Sequence, residues 1–265
     1  TALFLAQSPM VGTFHAAGGS LAYDLLNRPV RWLSRRMDRV FAVSDDAAAM
    51  ARDSLGGQYE VLFNGVEVQR SREVEPWPTE GPTIFFIGRH EPRKGLAVLL
   101  DAMAVLGSDV RLWVAGDGPE TDELRARMAG DARVQWLGRI SDEERTARIR
   151  GADVFCAPSL RGESFGVVLL EGMACDTPVV ASDIPGYAKV ARGGDDALLV
   201  PAGDAEALGA AIAKVLADPV LAARLVASGR ERAEEFSMRR LADRYLEAYS
   251  SVVGAYHAGR SSGPD

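Results

Sequence analysis

Short apolar, β-branched segments alternate with helical patterns along most of this 265-residue chain. Strands that alternate with helices of roughly 10–15 residues form βαβ units, and such units pair into parallel sheets. The pattern therefore predicts an α/β fold. The predicted strands are Met10–His15, Val40–Ser44, Glu60–Phe63, Thr83–Gly88, Val110–Gly116, Val134–Leu137, Asp153–Ala157, Pro178–Ser182 and Ala197–Val200.

A stretch without periodicity, Val68–Pro82, divides the predicted strands into three before it and six after it. It carries charges and three prolines, which is typical of a linker. Six parallel strands make a complete doubly wound sheet, so residues 81–235 are predicted to form a whole Rossmann-like domain. Residues 1–75 are expected to be the remnant of a similar domain whose opening strands are missing, because the chain starts at Thr1 as if inside a domain.

The carboxyl-terminal part of the chain has a helical pattern that is rich in Ala, Arg and Glu. We expect residues 236–257 to form a last helix that crosses back to the first domain. Residues 258–265 end in Gly, Ser and Pro and are predicted to be disordered. Inside the larger domain, Ser141 and Glu144 form a capping-box pattern that opens a helix, and Asp204 is predicted to cap another.

The composition narrows the class of protein. A formal net charge of −7 argues against nucleic acid as a partner. The two cysteines, Cys156 and Cys175, lie in apolar segments and are interpreted as small core residues. The sequence contains no zinc-binding pattern, no disulfide framework, no signal peptide and no apolar stretch of membrane-spanning length, so a cytoplasmic location is predicted.

Two glutamates carry most of the functional information. Glu163 follows a short buried strand pattern that ends at Ser159, and Glu171 lies in the apolar segment 165–174, which reads as a helix. We expect Glu171 about two turns into that helix, so that both carboxylates point at the crevice at the carboxyl end of the sheet. A structural role for Glu171 is disfavoured, because a buried unpaired carboxylate is costly. Two carboxylates beside free backbone N–H groups suit a polyol that is attached to a phosphate.

A cationic turn, Gly88–Gly95, directly follows a predicted strand and opens a helix at about Lys94. Arg89 and Lys94 would flank the amino terminus of that helix, which is a favourable place for a diphosphate. The alternative is a surface turn with solvated charges. We favour the diphosphate site, because the glutamate pair is expected at the same end of the sheet. The N–H groups of Phe165, Gly166 and Val167, ahead of the next helix, would also be free to bind phosphate oxygen.

Three further features are less specific. Gly116–Pro119 follows a strand and could let the backbone approach a ligand closely, but a plain turn is the favoured interpretation. His15, at the end of a strand, is more often structural than functional in this position. Asn27–Arg39 combines arginines with Trp32, so it reads either as a solvated helix face, which we favour, or as a peripheral contact with an anionic membrane at the inner face.

With these motifs in place, the chain resembles the retaining glycosyltransferases of family four, and within them the mycobacterial phosphatidylinositol mannosyltransferases. The resemblance implies the GT-B fold of two facing Rossmann-like domains, the first of them incomplete here, with 81–235 as the donor-binding domain and 1–75 on the acceptor side. It covers about residues 10–203. The matching stretches are 13–15, 43–44, 64–66, 88–89, 91–95, 152–158, 162–166 and 179–183.

The resemblance also implies residue roles. Arg89 and Lys94 would hold the donor diphosphate, Glu163 the transferred sugar and Glu171 the ribose. Ile140 falls where the family's backbone contacts the nucleobase, and His15 would face the reacting sugar from the first domain. The implied catalytic residues are His15, Arg89, Lys94 and Glu163. The implied donor-binding residues are Gly88, Arg89, Lys94, Ile140, Gly162, Glu163, Ser164, Phe165, Gly166, Val167 and Glu171.

The implied reaction is the transfer of a hexose to a lipid or glycan acceptor with retention of configuration. The first expectation for the donor is GDP-mannose, with a UDP-sugar as the alternative. No metal and no cofactor are expected, since two side-chain cations stabilise the leaving diphosphate. A nucleotide-sugar-binding module without activity and a GT-B nucleotide-sugar epimerase stay open as alternatives. We expect the 265-residue chain by itself to bind donor but to turn it over poorly.

Overall fold

The structure, a computed structural model, describes residues 8–15, 31–32 and 34–261. The chain divides into two compact units. Residues up to Gly65 and from Met238 onward form the smaller unit, and Val66–Ser237 form the larger unit.

Nine strands, all of them in parallel sheets, form the framework of the two units in the described part of the chain. Each predicted strand is confirmed, and its ends lie within two residues of the prediction. The strands are β1 (Val11–Phe14), β2 (Arg39–Ala42), β3 (Glu60–Val61), β4 (Thr83–Ile87), β5 (Arg111–Ala115), β6 (Val134–Gly138), β7 (Val154–Ala157), β8 (Val179–Asp183) and β9 (Leu198–Pro201).

Helices connect these strands. Ser141 and Asp204 cap their helices as predicted, because their side chains accept hydrogen bonds from the N–H groups of Glu144 and Ala207. The helices are α1 (Asp45–Leu55), α2 (Val68–Glu73), α3 (Leu96–Ala102), α4 (Thr121–Arg127), α5 (Asp142–Gly151), α6 (Val167–Ala174), α7 (Pro185–Ala188), α8 (Ala205–Ala217), α9 (Pro219–Glu235) and α10 (Met238–Ser261), with short 3₁₀ turns at Pro92–Lys94 and Met103–Val105.

The larger unit contains the six-stranded sheet in the order β6-β5-β4-β7-β8-β9. Successive residues of a strand face opposite sides of the sheet, and Ile84, Phe85 and Phe86 of β4 are all buried. The sheet is therefore covered on both faces, as expected for parallel strands joined by helices. Cys156 and Cys175 are buried and fill the core, as predicted.

The smaller unit contains a three-stranded sheet in the order β1-β2-β3. The last helix, α10, packs against this sheet, where the ring of Tyr245 lies 5.1 Å from that of Phe41 and Ala248 is buried. The Tyr245 hydroxyl also lies 3.2 Å from Thr13 Oγ1. The helix is longer than predicted: it runs to Ser261, through residues expected to be disordered, and residues 262–265 lie outside the described part.

The predicted linker is wrong at its beginning, because Val68–Glu73 form α2 instead of an irregular segment. Val68 is buried, and the Arg72 guanidinium lies 2.9 Å from Glu234 of α9, so this helix belongs to the larger unit. The chain also enters and leaves this unit at one place, where the Val66 N–H donates to the Phe236 carbonyl at 2.9 Å. The larger unit thus spans 66–237, where 81–235 was expected.

The basic segment Asn27–Arg39 lies partly outside the described residues. Arg31 donates to the Ser54 and Asp53 carbonyls at the end of α1, at 2.9 and 3.0 Å. Arg39 pairs with Glu60 at 2.7 Å. Two of the arginines therefore make contacts within the smaller unit, and the membrane contact stays a prediction. In the described part of the chain, no helix combines the length and apolar character that crossing a membrane requires.

Candidate active site

Several predicted site residues of the larger unit lie at the point where the strand order of the sheet reverses. Strands β4 and β7 are neighbours in the sheet, although β5 and β6 lie between them in the sequence. The cationic turn follows β4, and the Glu163 loop follows β7. Carboxyl ends of parallel strands at such a switch point form the crevice in which α/β proteins bind ligands.

The cationic turn is held against the end of β7 by a glycine. Gly95 has a left-handed backbone with φ of 69°, and a Cβ atom at this position would lie 1.9 Å from the Pro158 carbonyl oxygen. Only glycine allows this conformation and this approach together. The α-helix after the turn begins at Leu96, two residues after the predicted opening at about Lys94, because Pro92–Lys94 form a 3₁₀ turn.

The Glu163 carboxylate meets the cationic turn directly. Lys94 Nζ lies 2.6 Å from Glu163 Oε1, and Arg93 Nη1 lies 3.5 Å from the same oxygen. The Glu163 side chain is only 15% exposed. The topology thus brings together two groups that lie far apart in the sequence, as the strand order predicts.

The hydroxyl group of Ser159 reaches Glu163 from the end of β7. Ser159 Oγ donates to Glu163 Oε1 at 3.1 Å and accepts a hydrogen bond from the Tyr187 hydroxyl at 2.9 Å. Ser159 and Tyr187 are both buried. Together with Arg93 they are site residues that no sequence pattern singled out.

Arg89 is differently placed from Lys94. Its side chain is 69% exposed, and Nε lies 3.6 Å from Glu91 Oε2. Glu91 makes a closer contact with Arg93, at 2.7 Å. Arg89 is thus the solvent-facing cation of the turn, whereas Lys94 is held by Glu163.

An open cleft of about 830 Å³ adjoins Arg89. Gly88 and Arg89 line it after β4, Gly116–Pro119 after β5 and Arg139 after β6. Gly116–Pro119, which were interpreted as a plain turn, therefore border this cleft. Ile140 follows Arg139 and is half-buried, and its contact with a nucleobase stays a prediction.

His90 lies within the cationic turn and is buried. Its Nδ1 lies 2.8 Å from Thr121 Oγ1, and its ring packs near Phe86 and Trp136. Burial lowers the pKa of this imidazole. His90 therefore supports the turn from inside.

Helix α6 begins at Val167, two residues later than predicted, because Gly166 adopts a left-handed conformation with φ of 88° and ends the loop. No side chain caps this helix. The first N–H groups of a helix have no partner within it, so those of α6 point toward the loop. Phe165 contributes differently: its ring is buried and packs 5.4 Å from that of Phe236.

Glu171 lies little more than one turn into α6, and not two turns as expected, because the helix starts late. Burial raises the pKa of this carboxyl, while Arg145 opposes the rise and Asp142 adds to it. Arg145 Nη1 of α5 lies 3.6 Å from Glu171 Oε1. No sequence pattern pointed to this partner, which offsets only part of the cost of burying the carboxylate.

His15 lies at the exposed end of β1 in the smaller unit. Its role toward the reacting sugar stays a prediction, as do the roles of Gly162 and Ser164, which lie exposed in the loop before α6.

Comparisons with known proteins agree with this arrangement. Residues 67–232 match the family described as glycosyl transferases group 1, and residues 1–70 match glycosyltransferase family 4. The phosphatidyl-myo-inositol mannosyltransferase of Mycobacterium leprae is 38% identical over 262 residues, which cover 95% of this chain and 70% of the relative. The alpha-maltose-1-phosphate synthase of Mycolicibacterium smegmatis is 33% identical over 219 residues, which cover 72% of this chain and 56% of the relative.

Solved structures show the same fold. The crystal structure of HepE from Anabaena in complex with UDP superimposes with a TM-score of 0.79 at 22% identity, over 94% of this chain and 74% of that one. Sucrose-phosphate synthase from Thermosynechococcus elongatus gives a TM-score of 0.74 at 27% identity, over 92% and 68% of the two chains. The predicted GT-B class is confirmed by these likenesses together with the family match. With a six-stranded doubly wound sheet, cations and a glutamate at its switch point, and relatives that align along nearly its whole length, this chain belongs to the family four glycosyltransferases of the GT-B fold.

Proposed function

We propose that the larger unit binds the nucleotide-sugar donor of a retaining hexosyltransferase that needs no metal. The observation that carries the proposal is the pairing of Lys94 with Glu163 at 2.6 Å across the β4–β7 switch point. It sets a cation suited to a diphosphate beside a carboxylate suited to sugar hydroxyls. Both side chains are partly shielded from solvent, which strengthens their interactions with a ligand.

The diphosphate is the group on which catalysis depends. When the bond between the sugar and the diphosphate breaks, negative charge develops on the departing phosphate oxygen. Arg89, Lys94 and the uncapped amino terminus of α6 would stabilise that charge. Arg89 is exposed enough to reach the ligand without losing a close ion pair, and Lys94 would have to share its contact with Glu163.

The two carboxylates would then divide the remaining donor. Glu163 would accept hydrogen bonds from the sugar hydroxyls, and Glu171 from the ribose diol. The raised pKa of Glu171 reflects a carboxylate that has given up water without gaining a close partner, because Arg145 lies 3.6 Å away. A ribose diol would supply the missing donors. The backbone near Ile140 would contact the nucleobase.

The donor that we propose is GDP-mannose, and the acceptor is a lipid or a glycan. The similarity to phosphatidyl-myo-inositol mannosyltransferases at 36–38% identity supports mannose and a lipid. The stretch Ala16–Ser20 after His15 contains no cation that could pair with a lipid phosphate, and it lies outside the described residues. A glycan acceptor therefore stays in the proposal. A lipid acceptor would bring this protein to a membrane surface.

Calorimetry with GDP, GDP-mannose, UDP and UDP-glucose tests the donor site. We expect GDP-mannose to bind more tightly than UDP-glucose, and Lys94→Ala to weaken binding of both GDP and GDP-mannose. Absence of binding for all four ligands would refute the proposal.

Incubation with GDP-mannose, alone and with vesicles that contain phosphatidylinositol, tests the chemistry. We expect slow release of GDP, with mannose transferred to the lipid or to water. Binding without release of GDP would favour a binding module, and a changed sugar on an intact nucleotide would favour an epimerase.

A further inference from the structure

Two buried hydroxyl groups form a chain that ends on the Glu163 carboxylate. The Tyr187 hydroxyl of α7 donates to Ser159 Oγ at 2.9 Å, and Ser159 Oγ donates to Glu163 Oε1 at 3.1 Å. Tyr187 is 1% exposed and Ser159 is 3% exposed. We refer to Tyr187 and Ser159 as the hydroxyl relay.

The contacts of the Glu163 carboxylate are one-sided. Lys94, Arg93 and Ser159 all approach Oε1, at 2.6, 3.5 and 3.1 Å. In the part of the chain that the structure describes, Oε2 has no hydrogen-bond or ion-pair partner within the protein. Glu163 therefore has one oxygen fixed by the protein and one oxygen that can accept hydrogen bonds from a ligand.

The three partners of Oε1 differ in how firmly they are placed. The side chains of Lys94 and Arg93 are 22% and 39% exposed, and both are long and charged, so a bound diphosphate competes for them. Ser159 is buried and neutral, and a diphosphate offers it no comparable attraction. When Lys94 turns toward the diphosphate, Ser159 is the partner that stays.

We propose that Tyr187 and Ser159 are positioning residues that hold Oε1 of Glu163 in place while the donor binds, so that Oε2 meets the hydroxyl groups of the sugar. The inference rests on the proposed function, because it assigns Glu163 to the sugar. Both relay residues are buried and would act on the donor through Glu163.

The direction of the hydrogen bonds explains why two hydroxyls are needed. A serine hydroxyl has a single proton, and it rotates to suit its partners. Because Ser159 accepts from Tyr187, its own proton points at the carboxylate. Burial raises the pKa of the Tyr187 phenol, with Glu163 adding to the rise, so the phenol keeps its proton and stays a donor. Hydrogen bonds in such chains also strengthen one another.

Three variants test the relay by comparing affinities for GDP and for GDP-mannose. Tyr187→Phe removes one hydroxyl and keeps the ring, and Ser159→Ala breaks the contact with Glu163. We expect each to lower the affinity for GDP-mannose about threefold to tenfold, the value of one net hydrogen bond, with GDP affinity unchanged within twofold. Because Tyr187 acts through Ser159, the double variant should be no worse than Ser159→Ala alone.

Two matched variants separate positioning from general stability. Ser159→Thr keeps a hydroxyl and should restore most of the GDP-mannose affinity. Thr177→Val removes another buried hydroxyl, which donates to the Ile149 carbonyl at 2.6 Å and is not part of the relay. It should lower the melting temperature and leave the ratio of GDP-mannose to GDP affinity unchanged.

The outcomes are distinct. Effects of Tyr187→Phe and Ser159→Ala that multiply in the double variant, or equal losses for GDP and GDP-mannose, would overturn the relay while the proposed function stands. An unmodified protein that binds GDP but gains nothing from the mannose would overturn the assignment of Glu163 and the relay with it. An unmodified protein that binds neither ligand would refute the proposed function as well.

Discussion

Replacing Glu171 by glutamine is expected to stabilise the ligand-free protein and to weaken nucleotide binding. The Glu171 side chain is 25% exposed, and burial raises its pKa above the ordinary 4.5. Burying a polar group without a full set of partners costs about 1–3 kcal/mol, and the partly exposed Arg145 at 3.6 Å offsets up to about 1 kcal/mol of this. Glu171→Gln should therefore raise stability by about 1 kcal/mol, or the melting temperature by roughly 2–4 °C.

The sign of the pH dependence follows from the raised pKa. Well below pH 4.5 the carboxyl is neutral in the folded and the unfolded chain, so the variant and the unmodified protein should be equally stable. As the pH rises through the raised pKa, the unmodified protein must hold a charged carboxylate in a buried place and loses stability. The difference in melting temperature should thus grow from acid to neutral pH.

Binding should change in the opposite direction. An amide oxygen forms a weaker hydrogen bond with a ribose diol than a carboxylate does, by about 1 kcal/mol, so GDP should bind roughly fivefold to tenfold more weakly. Melting curves between pH 4 and 8 and calorimetry with GDP check both effects. Glu144→Gln is the matched control, since Glu144 pairs with the buried Arg148 at 2.9 Å and its loss should destabilise. A lower melting temperature for Glu171→Gln at pH 7, or unchanged GDP affinity, would refute the reasoning.

Four other substitutions test the site. Lys94→Ala and Arg89→Ala should each weaken GDP binding at least tenfold, since a charge-assisted hydrogen bond contributes about 1.5–3 kcal/mol; unchanged affinity in both, measured by calorimetry, would remove the diphosphate from this turn. Glu163→Ala should leave GDP binding nearly intact and weaken GDP-mannose; loss of GDP affinity alone would reverse the roles of the carboxylates. Gly95→Ala forces a Cβ to within 1.9 Å of the Pro158 oxygen at a positive φ and should cost about 2–4 kcal/mol in thermal unfolding; a melting temperature within a degree of the unmodified protein would contradict that geometry.

The meeting of Lys94 and Glu163 was predictable from the sequence, and the reason is topological. Parallel strands in a doubly wound sheet carry their loops at one edge, so groups after β4 and β7 must come together whatever their distance in the chain. Short apolar, β-branched segments located the strands, and turn chemistry located the loops. These signals are local or follow from general rules of chain connection.

The partners of the two glutamates were not predictable in the same way. Arg145 lies on a different helix from Glu171, and Tyr187 reaches Ser159 from α7, so both contacts depend on packing distances that no local pattern encodes. The helix α2 was missed for a related reason. Its six residues show little periodicity, and prolines follow shortly after them. The helix is stabilised by the burial of Val68 and by the ion pair of Arg72 with Glu234.

The hydrogen bond from Val66 to Phe236 has a consequence for how such a protein can be rearranged. It places the entry and the exit of the larger unit side by side, so this unit is a continuous insertion into the smaller one. A domain with adjacent ends can be excised, transplanted or joined end to end without opening its core. Residues 66–237 could therefore be exchanged as one segment between related enzymes. Such an exchange would transfer the proposed donor-binding unit and leave the smaller unit of the recipient in place.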